Sequence, residues 1–410
     1  FPSVSAGWRI SEEKFMAENN SWINNLKLRA SYGSLGNNSI GNYDWQFTYA
    51  AANALLGGTI APGFAQTSLA NSAVTWESTY MTNIGVDYGF LNNRLTGSLE
   101  YYNKRTDGVL ISLPAPLEHG TSGIAAQNAG EVVNNGVDFD IAWTDNIGKV
   151  TYNVGFNIGW FKNKMTKFKG DEPTYSGAYR LLEGHPINQL YVMDIDRIVR
   201  NESDLEYVKS LVDRDPNYFA NFQRPGLGDF LYKDANGDGK LNYDDRVTVG
   251  HGNFPTISYG FNLGLQWNNF DFSMLLQGVG DYKVYYNNQA FRFVTVDGNS
   301  LIKDIVDNSW TPENPNAKYP KLYSNAQTKN QVASTAFCLD ASYLRCKNLQ
   351  IGYTIPRNIT QKFFVENLKV YCSMDNLFTI TDFKGMDPEV AEGVGYPAIK
   401  QYSFGLNVSF

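Results

Sequence analysis

The stretch Tyr402-Ser403-Phe404-Gly405-Leu406-Asn407-Val408-Ser409-Phe410 places an apolar side chain at every second position. Successive side chains of a β-strand point to opposite faces, so this pattern predicts a strand with one apolar and one polar face. The same alternation recurs in residues 150–160 and 257–267. Together, these segments predict an all-β protein built from long, two-faced strands.

The length of these segments indicates where the strands lie. Segments such as 149–162 and 399–410 are about twice as long as the roughly 5 or 6 residues of a typical soluble strand. A tilted strand needs about 9–11 residues to cross a bilayer. The pattern therefore favours a transmembrane antiparallel β-barrel over a soluble sandwich. The predicted strands are 2–10, 26–33, 76–90, 94–106, 131–143, 149–162, 256–267, 270–280, 338–355, 367–380 and 399–410.

The connections between the predicted strands alternate between short and long. Tight turns fall at 91–93, 145–148 and 268–269, and they would all lie on one side of the sheet. The long connections would lie on the other side, at 34–75, 107–130, 163–255, 281–337 and 381–398. Outer-membrane barrels have this asymmetry, with short periplasmic turns and long extracellular loops. Aromatic residues near the strand ends would form belts at the membrane interfaces, although aromatic residues are also common in strands generally. They are Trp8, Trp76, Tyr101, Tyr102, Trp143, Trp160, Trp267 and Tyr353.

Composition excludes several classes of protein. The chain has 34 basic and 41 acidic residues, and this net charge of −7 argues against a nucleic-acid partner. Three cysteines are too few for a disulfide scaffold, and no apolar run is long enough for a membrane-spanning helix. The start Phe1-Pro2-Ser3 lacks an initiator Met and a charged leader region, so we expect a piece of a longer chain.

Residues 234–245 (DANGDGKLNYDD) form the sharpest local motif. They match the calcium loop of the EF-hand at positions 1, 3, 5 and 6. This pattern suits a hard cation, because alternate residues on a tight turn can bring several oxygen atoms to one point. The flanks do not look helical, so we expect a structural Ca²⁺ site within the loop 163–255 rather than a sensor. Mg²⁺ is the second candidate ion, and an Asx-rich turn without any ion is the alternative. The predicted ligands are Asp234, Asn236, Asp238, the Lys240 carbonyl and Asp245.

No other motif indicates chemistry. His119, His185 and His251 are not at metal-ligand spacing, and no Ser elbow, Cys/His pair or phosphate loop is present, so no enzyme is expected. By alternation, Cys346 would lie on a polar face and Cys372 on an apolar face, which predicts free thiols. Aromatic residues in the long loops either stack on sugars or pack the loops together. They are Tyr43, Trp45, Tyr285, Tyr286, Phe291 and Phe293.

An ordered set of short motifs runs through the chain. Because of these motifs, the chain resembles the C-terminal part of SusC-like TonB-dependent outer-membrane transporters of Bacteroidota. Cys346 departs from the family pattern, which more often has Lys there. The motifs are 1–8 (FPSVSAGW), 26–33 (LKLRASYG), 234–241 (DANGDGKL), 310–314 (WTPEN) with 319–320 (YP), 342–345 (SYLR), 352–356 (GYTIP), 375–381 (DNLFTIT) and 385–389 (GMDPE).

The resemblance implies a 22-stranded barrel to which residues 1–410 contribute about eleven C-terminal strands. It also implies a plug domain and a TonB-contacting segment outside this chain. The partners that it implies are TonB, a SusD-like surface lipoprotein that acts as a lid, outer-membrane lipid and a second transporter–lid pair. The implied activity is TonB-dependent import of nutrient oligosaccharides, or of oligopeptides by the same mechanism.

Two further functions stay open from the residues alone. A passive porin would share the barrel but would need no plug. A calcium-stabilised surface adhesin or lectin would be a soluble sandwich and would need no detergent for extraction.

Overall fold

Long strands dominate the structure, which is a computed structural model. It describes residues 1–17, 22–43, 45–111, 113, 123–124, 126–169, 174–288, 291–294, 300–324, 329–391 and 395–410. The strands are β1 (Ser3–Arg9), β2 (Ile23–Asn37), β3 (Tyr49–Leu56), β4 (Thr59–Gln66), β5 (Ser68–Leu69), β6 (Glu77–Phe90), β7 (Leu95–Ile111), β8 (Gly123–Ile124), β9 (Gln127–Ile147), β10 (Val150–Phe168), β11 (Thr174–Ser176), β12 (Tyr179–Leu181), β13 (Gln189–Met193), β14 (Ile195–Ile198), β15 (Phe230–Tyr232), β16 (Arg246–Val249), β17 (Ile257–Trp267), β18 (Phe270–Gly280), β19 (Lys283–Tyr285), β20 (Cys338–Asp340), β21 (Tyr343–Thr354), β22 (Asn367–Asp375), β23 (Thr379–Thr381) and β24 (Gln401–Ser409). The α-helices are α1 (Lys14–Ala17), α2 (Glu202–Arg214), α3 (Lys303–Asp307) and α4 (Arg357–Thr360).

One continuous sheet holds the long strands in the order β1-β2-β6-β7-β9-β10-β17-β18-β21-β22-β24, and the short β23 pairs with β21. Each neighbouring pair on this path is antiparallel. The path has eleven strands, as the sequence predicted. We call this sheet the wall.

The hairpin β17–β18 illustrates how alternation becomes structure. Its register runs without a bulge from Trp267↔Phe270 to Ile257↔Gly280, as the sequence pattern predicted. The connecting Asn268 has φ 52°, a left-handed conformation that Asn tolerates better than most residues. The tight turn therefore fixes the register of the whole hairpin.

The two faces of the wall differ in chemistry. A row across neighbouring strands reads Leu28, Val86, Leu99, Phe139, Ile158 and Tyr259. The next row, on the opposite face, reads Arg29, Gly85, Glu100, Asp138, Gly159 and Ser258. Apolar-face side chains such as Phe404, which is 85% exposed, are not covered by protein. We name these two surfaces the apolar face and the polar face.

Aromatic side chains collect at both ends of the apolar face. Near the short turns, the Phe270 ring lies 4.6 Å from Tyr353 and 6.2 Å from Trp267 between centroids. Near the long loops, Tyr101 and Trp160 lie in one row with Val137 between them. Such belts are typical of membrane–water interfaces.

Tyr102, which the sequence placed in this belt, lies on the opposite face. Its ring covers Gly136, and a Cβ atom at Gly136 would meet the Tyr102 ring at 2.3 Å. The belt prediction for Tyr102 is therefore wrong, because Tyr101 and Tyr102 are successive residues of β7 and point to opposite faces.

The largest buried core lies in the long connections rather than in the wall. We call the segments between β10 and β17, between β18 and β21, and between β22 and β24 the loop module. Phe291, Phe293 and Phe337 are almost fully buried there, and Phe230 meets Phe293 edge-on with 5.5 Å between ring centroids. The predicted loop 163–255 begins too early, because β10 continues to Phe168, and it contains β11–β16 and α2.

The helix α2 shows local coding within the loop module. The Asn201 side chain accepts a hydrogen bond from the Asp204 N–H and caps the first turn. Val208 and Leu211 are the buried side chains that fix the helix to the core. Among the described residues, no helix is long and apolar enough to cross a bilayer.

Candidate functional site

Charged side chains meet on the polar face across β2, β6 and β7. Arg29 Nε donates to Asp87 Oδ1 at 3.0 Å, and the same guanidinium donates to Glu100. These side chains remain a fifth to a third exposed, at 33%, 30% and 21% for Arg29, Asp87 and Glu100. A carboxylate has about four acceptor sites, so each retains acceptor capacity for the hydroxyl or amide groups of a solute.

Polar contacts continue at the other edge of the wall. Lys369 Nζ donates to Asp271 Oδ2 at 2.7 Å, and Asn348 Nδ2 donates to Asp375 Oδ1 at 2.7 Å and to Ser373 Oγ at 3.0 Å. Donors and acceptors thus line the polar face from β2 to β22. A surface of this kind suits a hydrated path for hydrophilic molecules.

A buried ion-pair network ties the loop module to the wall. Arg345 of β21 donates to Asp387 Oδ1 at 2.7 Å, and both side chains are only 4% exposed. Glu389 lies 3.2 Å from Arg345 and accepts from the Tyr343 hydroxyl at 2.9 Å. Because an uncompensated buried charge is costly, these partners hold the segment after β23 firmly against β21.

A second buried carboxylate organises the loop module itself. Asp229 is 0% exposed, and its oxygens accept from the Tyr323 hydroxyl at 2.7 Å, Lys329 Nζ at 3.0 Å, Asn330 Nδ2 at 3.2 Å and the Gly226 N–H at 2.8 Å. Tyr323 and Lys329 also line an open cleft of about 700 Å³. Sequence reasoning missed Asp229 and the Arg345–Asp387 pair, because partners about 40 to 100 positions apart leave no local signal.

The calcium-type loop is organised by hydrogen bonds from its own backbone. Asp234 accepts from the N–H groups of Gly237 at 2.7 Å and Gly239 at 2.9 Å, and both glycines have positive φ. Asn236 accepts from the Asp238 N–H at 2.9 Å, and Asp238 accepts from the Lys240 N–H at 2.8 Å. The chain therefore turns tightly around the oxygens of the first three predicted ligands.

The last predicted ligand is buried. Asp245 is 0% exposed and accepts from the N–H groups of Ala235 and Asn242, both at 2.9 Å. Nearby, burial and the charge of Asp234 raise the pKa of Tyr218 to about 12, which keeps that phenol neutral. In the described part of the chain, no three His, Cys, Asp or Glu side chains form a metal-holding group. The ligand set of Asp234, Asn236, Asp238, Lys240 and Asp245 stays a prediction.

Most of the loop aromatics pack the loops together. Tyr286, Phe291 and Phe293 are 3%, 2% and 1% exposed, and Tyr285 packs against the same core. Tyr43 and Trp45 differ, because they are 72% and 42% exposed. For the four residues of the core, packing rather than sugar stacking is therefore the reading that the structure supports.

The three cysteines are free thiols, as predicted. The predicted polar face for Cys346 is wrong, however. A register shift between Leu275 and Leu276 leaves Lys347 as an extra residue, so Cys346 pairs with Leu276 and is fully buried. Cys372 pairs with Ile351, further along β21, which separates the two thiols.

The histidines have separate surroundings. His185 Nδ1 lies 2.9 Å from Gln189 Oε1, and His251 Nδ1 lies 2.9 Å from Asp281 Oδ2. His119 lies outside the described residues.

Several known proteins are similar to this chain over its whole length. No protein-family profile matches the chain. The TonB-dependent receptor P3 of Formosa agariphila is 30% identical over 438 residues, which cover 100% of this chain and 42% of the relative. The TonB-dependent receptor SusC of Bacteroides thetaiotaomicron is 29% identical over 435 residues, covering 100% of this chain and 40% of the relative.

A solved structure, the RagAB peptide transporter, superposes with a TM-score of 0.78 at 26% identity, covering 100% of this chain and 43% of that one. The chain thus spans less than half the length of the proteins it matches. The similarity extends over all of this chain, including its eleven-stranded wall. The predicted resemblance is confirmed: over its whole length this chain is similar to part of SusC-like TonB-dependent receptors, and its wall is part of an outer-membrane β-barrel.

Proposed function

We propose that this chain supplies wall and outer loops to a transporter that imports nutrient oligosaccharides across the outer membrane in a TonB-dependent manner. The full-length similarity to TonB-dependent receptors, SusC among them, is the observation that carries this proposal. The whole protein would work with a SusD-like lipoprotein as its lid and with TonB, through parts outside this chain. Two such transporter–lid pairs would associate as a dimer.

The geometry supports a path for a hydrated solute. The polar face, with Arg29, Asp87 and Glu100, would line the lumen, while the apolar face would meet lipid. The loop module would stand at the extracellular mouth, fixed to the wall by Arg345 and Asp387. A rigidly anchored mouth gives a lid and a plug a fixed frame to close against.

Oligopeptides are the second candidate substrate. The similarity to the RagAB peptide transporter favours them, and carboxylates on the polar face would accept peptide N–H groups as readily as sugar hydroxyls. The burial of the loop aromatics removes one reason for preferring sugars.

Uptake by whole cells separates these alternatives. Cells with and without the complete protein would receive labelled oligosaccharides or labelled oligopeptides, each with and without a proton uncoupler. We expect uptake of oligosaccharides that requires both the protein and the proton gradient. Gradient-dependent uptake of peptides alone would show that oligopeptides, and not oligosaccharides, are the substrate. Uptake that persists with the uncoupler would indicate a passive porin.

We also propose that residues 234–245 bind a structural Ca²⁺ ion. The side chains of Asp234, Asn236 and Asp238, the Lys240 carbonyl and Asp245 supply the oxygen ligands that Ca²⁺ prefers. The backbone already turns around the first three of these side chains. The ion would stiffen the part of the loop module next to Tyr218, whose carbonyl accepts from the Leu241 N–H at 2.8 Å.

A further inference from the structure

The apolar face changes character abruptly along β10. Its side chains are apolar at alternate positions from Val150 to Trp160, and the next two positions on the same face are Lys162 and Lys164. The register confirms the placement, because Lys162 pairs with Asn135, which pairs with Asn103. Lys164 pairs with Val133 in the same way. A lysine strip therefore continues the lipid-facing surface directly above the aromatic belt.

Two neighbouring cations on this face are neutralised, but those of the strip are not. Glu131 binds Lys167 Nζ at 2.9 Å and Arg105 Nη2 at 2.6 Å. Lys162 and Lys164 are exposed, and no described carboxylate lies within 4.0 Å of either ammonium group. Lys162 Nζ instead lies 5.2 Å from the centroid of the Trp160 ring. The strip is thus a free positive surface on a chain whose net charge is −7.

The height of the strip matches the head-group layer. A strand rises about 3.3 Å per residue, and barrel strands tilt by about 35–45°. Lys162 and Lys164 therefore stand about 5 Å and about 10 Å above Trp160 along the membrane normal. The polar layer begins where the roughly 30 Å hydrocarbon core ends, at the level of such aromatic belts.

We propose that Lys162 and Lys164 bind the phosphate groups of anionic glycolipids in the outer leaflet of the outer membrane. The two ammonium groups complement phosphate charge, and the strip continues the surface that acyl chains already cover. A lipid with its chains on Phe156 and Ile158 would carry its head group to Lys162 without a break in contact. The proposal rests on the outer-membrane location and is independent of which substrate is imported.

Native mass spectrometry of the complete protein, purified in detergent, tests the proposal with diphosphorylated lipid A as the probe. We expect Lys162→Gln/Lys164→Gln to lower the affinity for lipid A by about tenfold. Lys162→Arg/Lys164→Arg should retain binding. The matched control is Lys209→Gln/Lys384→Gln, which removes the same charge from exposed positions of the loop module. Heat-modifiable migration on a gel verifies that each barrel is folded.

Three results would overturn the proposal. The first is equal lipid A binding by the glutamine variant and the unaltered protein. The second is equal binding of dephosphorylated lipid A, which would show that phosphate is not recognised. The third is loss of a co-purifying protein while lipid A binding stays unchanged, which would make the strip a protein contact.

Discussion

The wall and the loop module are stabilised by different kinds of contact. In the wall, consecutive strands such as β17 and β18 pair across a two-residue turn, and their apolar side chains share the face that meets lipid in an outer-membrane barrel. In the loop module, Phe230, Phe293 and Phe337 come from distant parts of the chain and exclude water from one another. The wall therefore depends on local pairing and on the bilayer, whereas the loop module depends on a core like that of a soluble domain.

The largest effect should come from emptying that core. Phe337→Ala removes a ring that is 0% exposed, and a buried Phe→Ala change costs about 3–5 kcal/mol. We expect the loop module to become accessible to protease while the barrel keeps its heat-modifiable migration. Limited proteolysis and hydrogen exchange would measure the two regions separately.

The matched control is Phe64→Ala, because Phe64 is 82% exposed on β4 and its loss should leave protease resistance unchanged. If Phe337→Ala unfolded the barrel as well, the wall and the loop module would be one cooperative unit, and the comparison would fail.

The next effect should come from cutting the link between the two regions. Asp387→Asn removes the more deeply buried counter-charge of Arg345 and leaves it only the partly exposed Glu389, which costs about 3 kcal/mol. Asp307→Asn is the control, since its pair with Lys303 is exposed. Hydrogen exchange of the segment after β23 would report the loss. Unchanged exchange there would show that Asp387 does not hold this segment to the wall.

The same link should be sensitive to acid. Burial alone would raise the pKa of Asp387, but hydrogen bonds from Arg345 and from the N–H groups of Glu389 and Ala398 lower it below its ordinary value. Since the folded pKa lies below the unfolded value of about 3.9, the stabilisation is complete above that pH. It is lost as the pH falls through the folded pKa. Exchange in this segment should therefore rise below about pH 4 in the unaltered protein and depend less on pH in Asp387→Asn.

Most of the wall could be predicted from the sequence, because its information is local. The strand 270–280 was predicted with the bounds that β18 has, and all eleven wall strands were anticipated. This reasoning predicted the wrong face for Cys346. A single extra residue at Lys347 reverses the alternation, and a period-two sequence pattern contains no signal for such a bulge.

The loop module could not be predicted, because its contacts are distant in sequence. Asp229 meets Lys329 and Asn330 about 100 positions away, and an Asp in a Gly-rich stretch resembles any solvated turn. The turn of the calcium-type loop could be predicted only because its residues are consecutive in the sequence. Its bound ion, unlike its turn, is still a prediction.

A smaller effect should follow from calcium. If the ion binds, Ca²⁺ at about 100 times its Kd stabilises the folded loop module by about 2.7 kcal/mol, and Asp238→Asn should abolish most of this gain. Asp244→Asn is the control, since Asp244 lies in the same loop but is not a predicted ligand. Proteolysis with Ca²⁺ or with a chelator measures the difference. Equal protection of the two variants by Ca²⁺ would remove Asp238 from the ligand set.

The smallest effect concerns two thiols that report on the two regions without perturbing either. Burial raises the pKa of Cys338 to about 12, so at pH 8 it is almost entirely protonated, and thiolates are the reactive form. We expect Cys338 to resist alkylation in the folded protein and Cys372, on the apolar face of β22, to react only with reagents that enter the detergent belt. Mass spectrometry of alkylated peptides measures the reaction at both sites, and denatured protein labelled at all three cysteines is the control.

Because Cys338 follows Phe337 in the chain, Phe337→Ala should expose Cys338 while leaving Cys372 unchanged. Simultaneous exposure of both thiols would mean that the core of the loop module also holds the wall together.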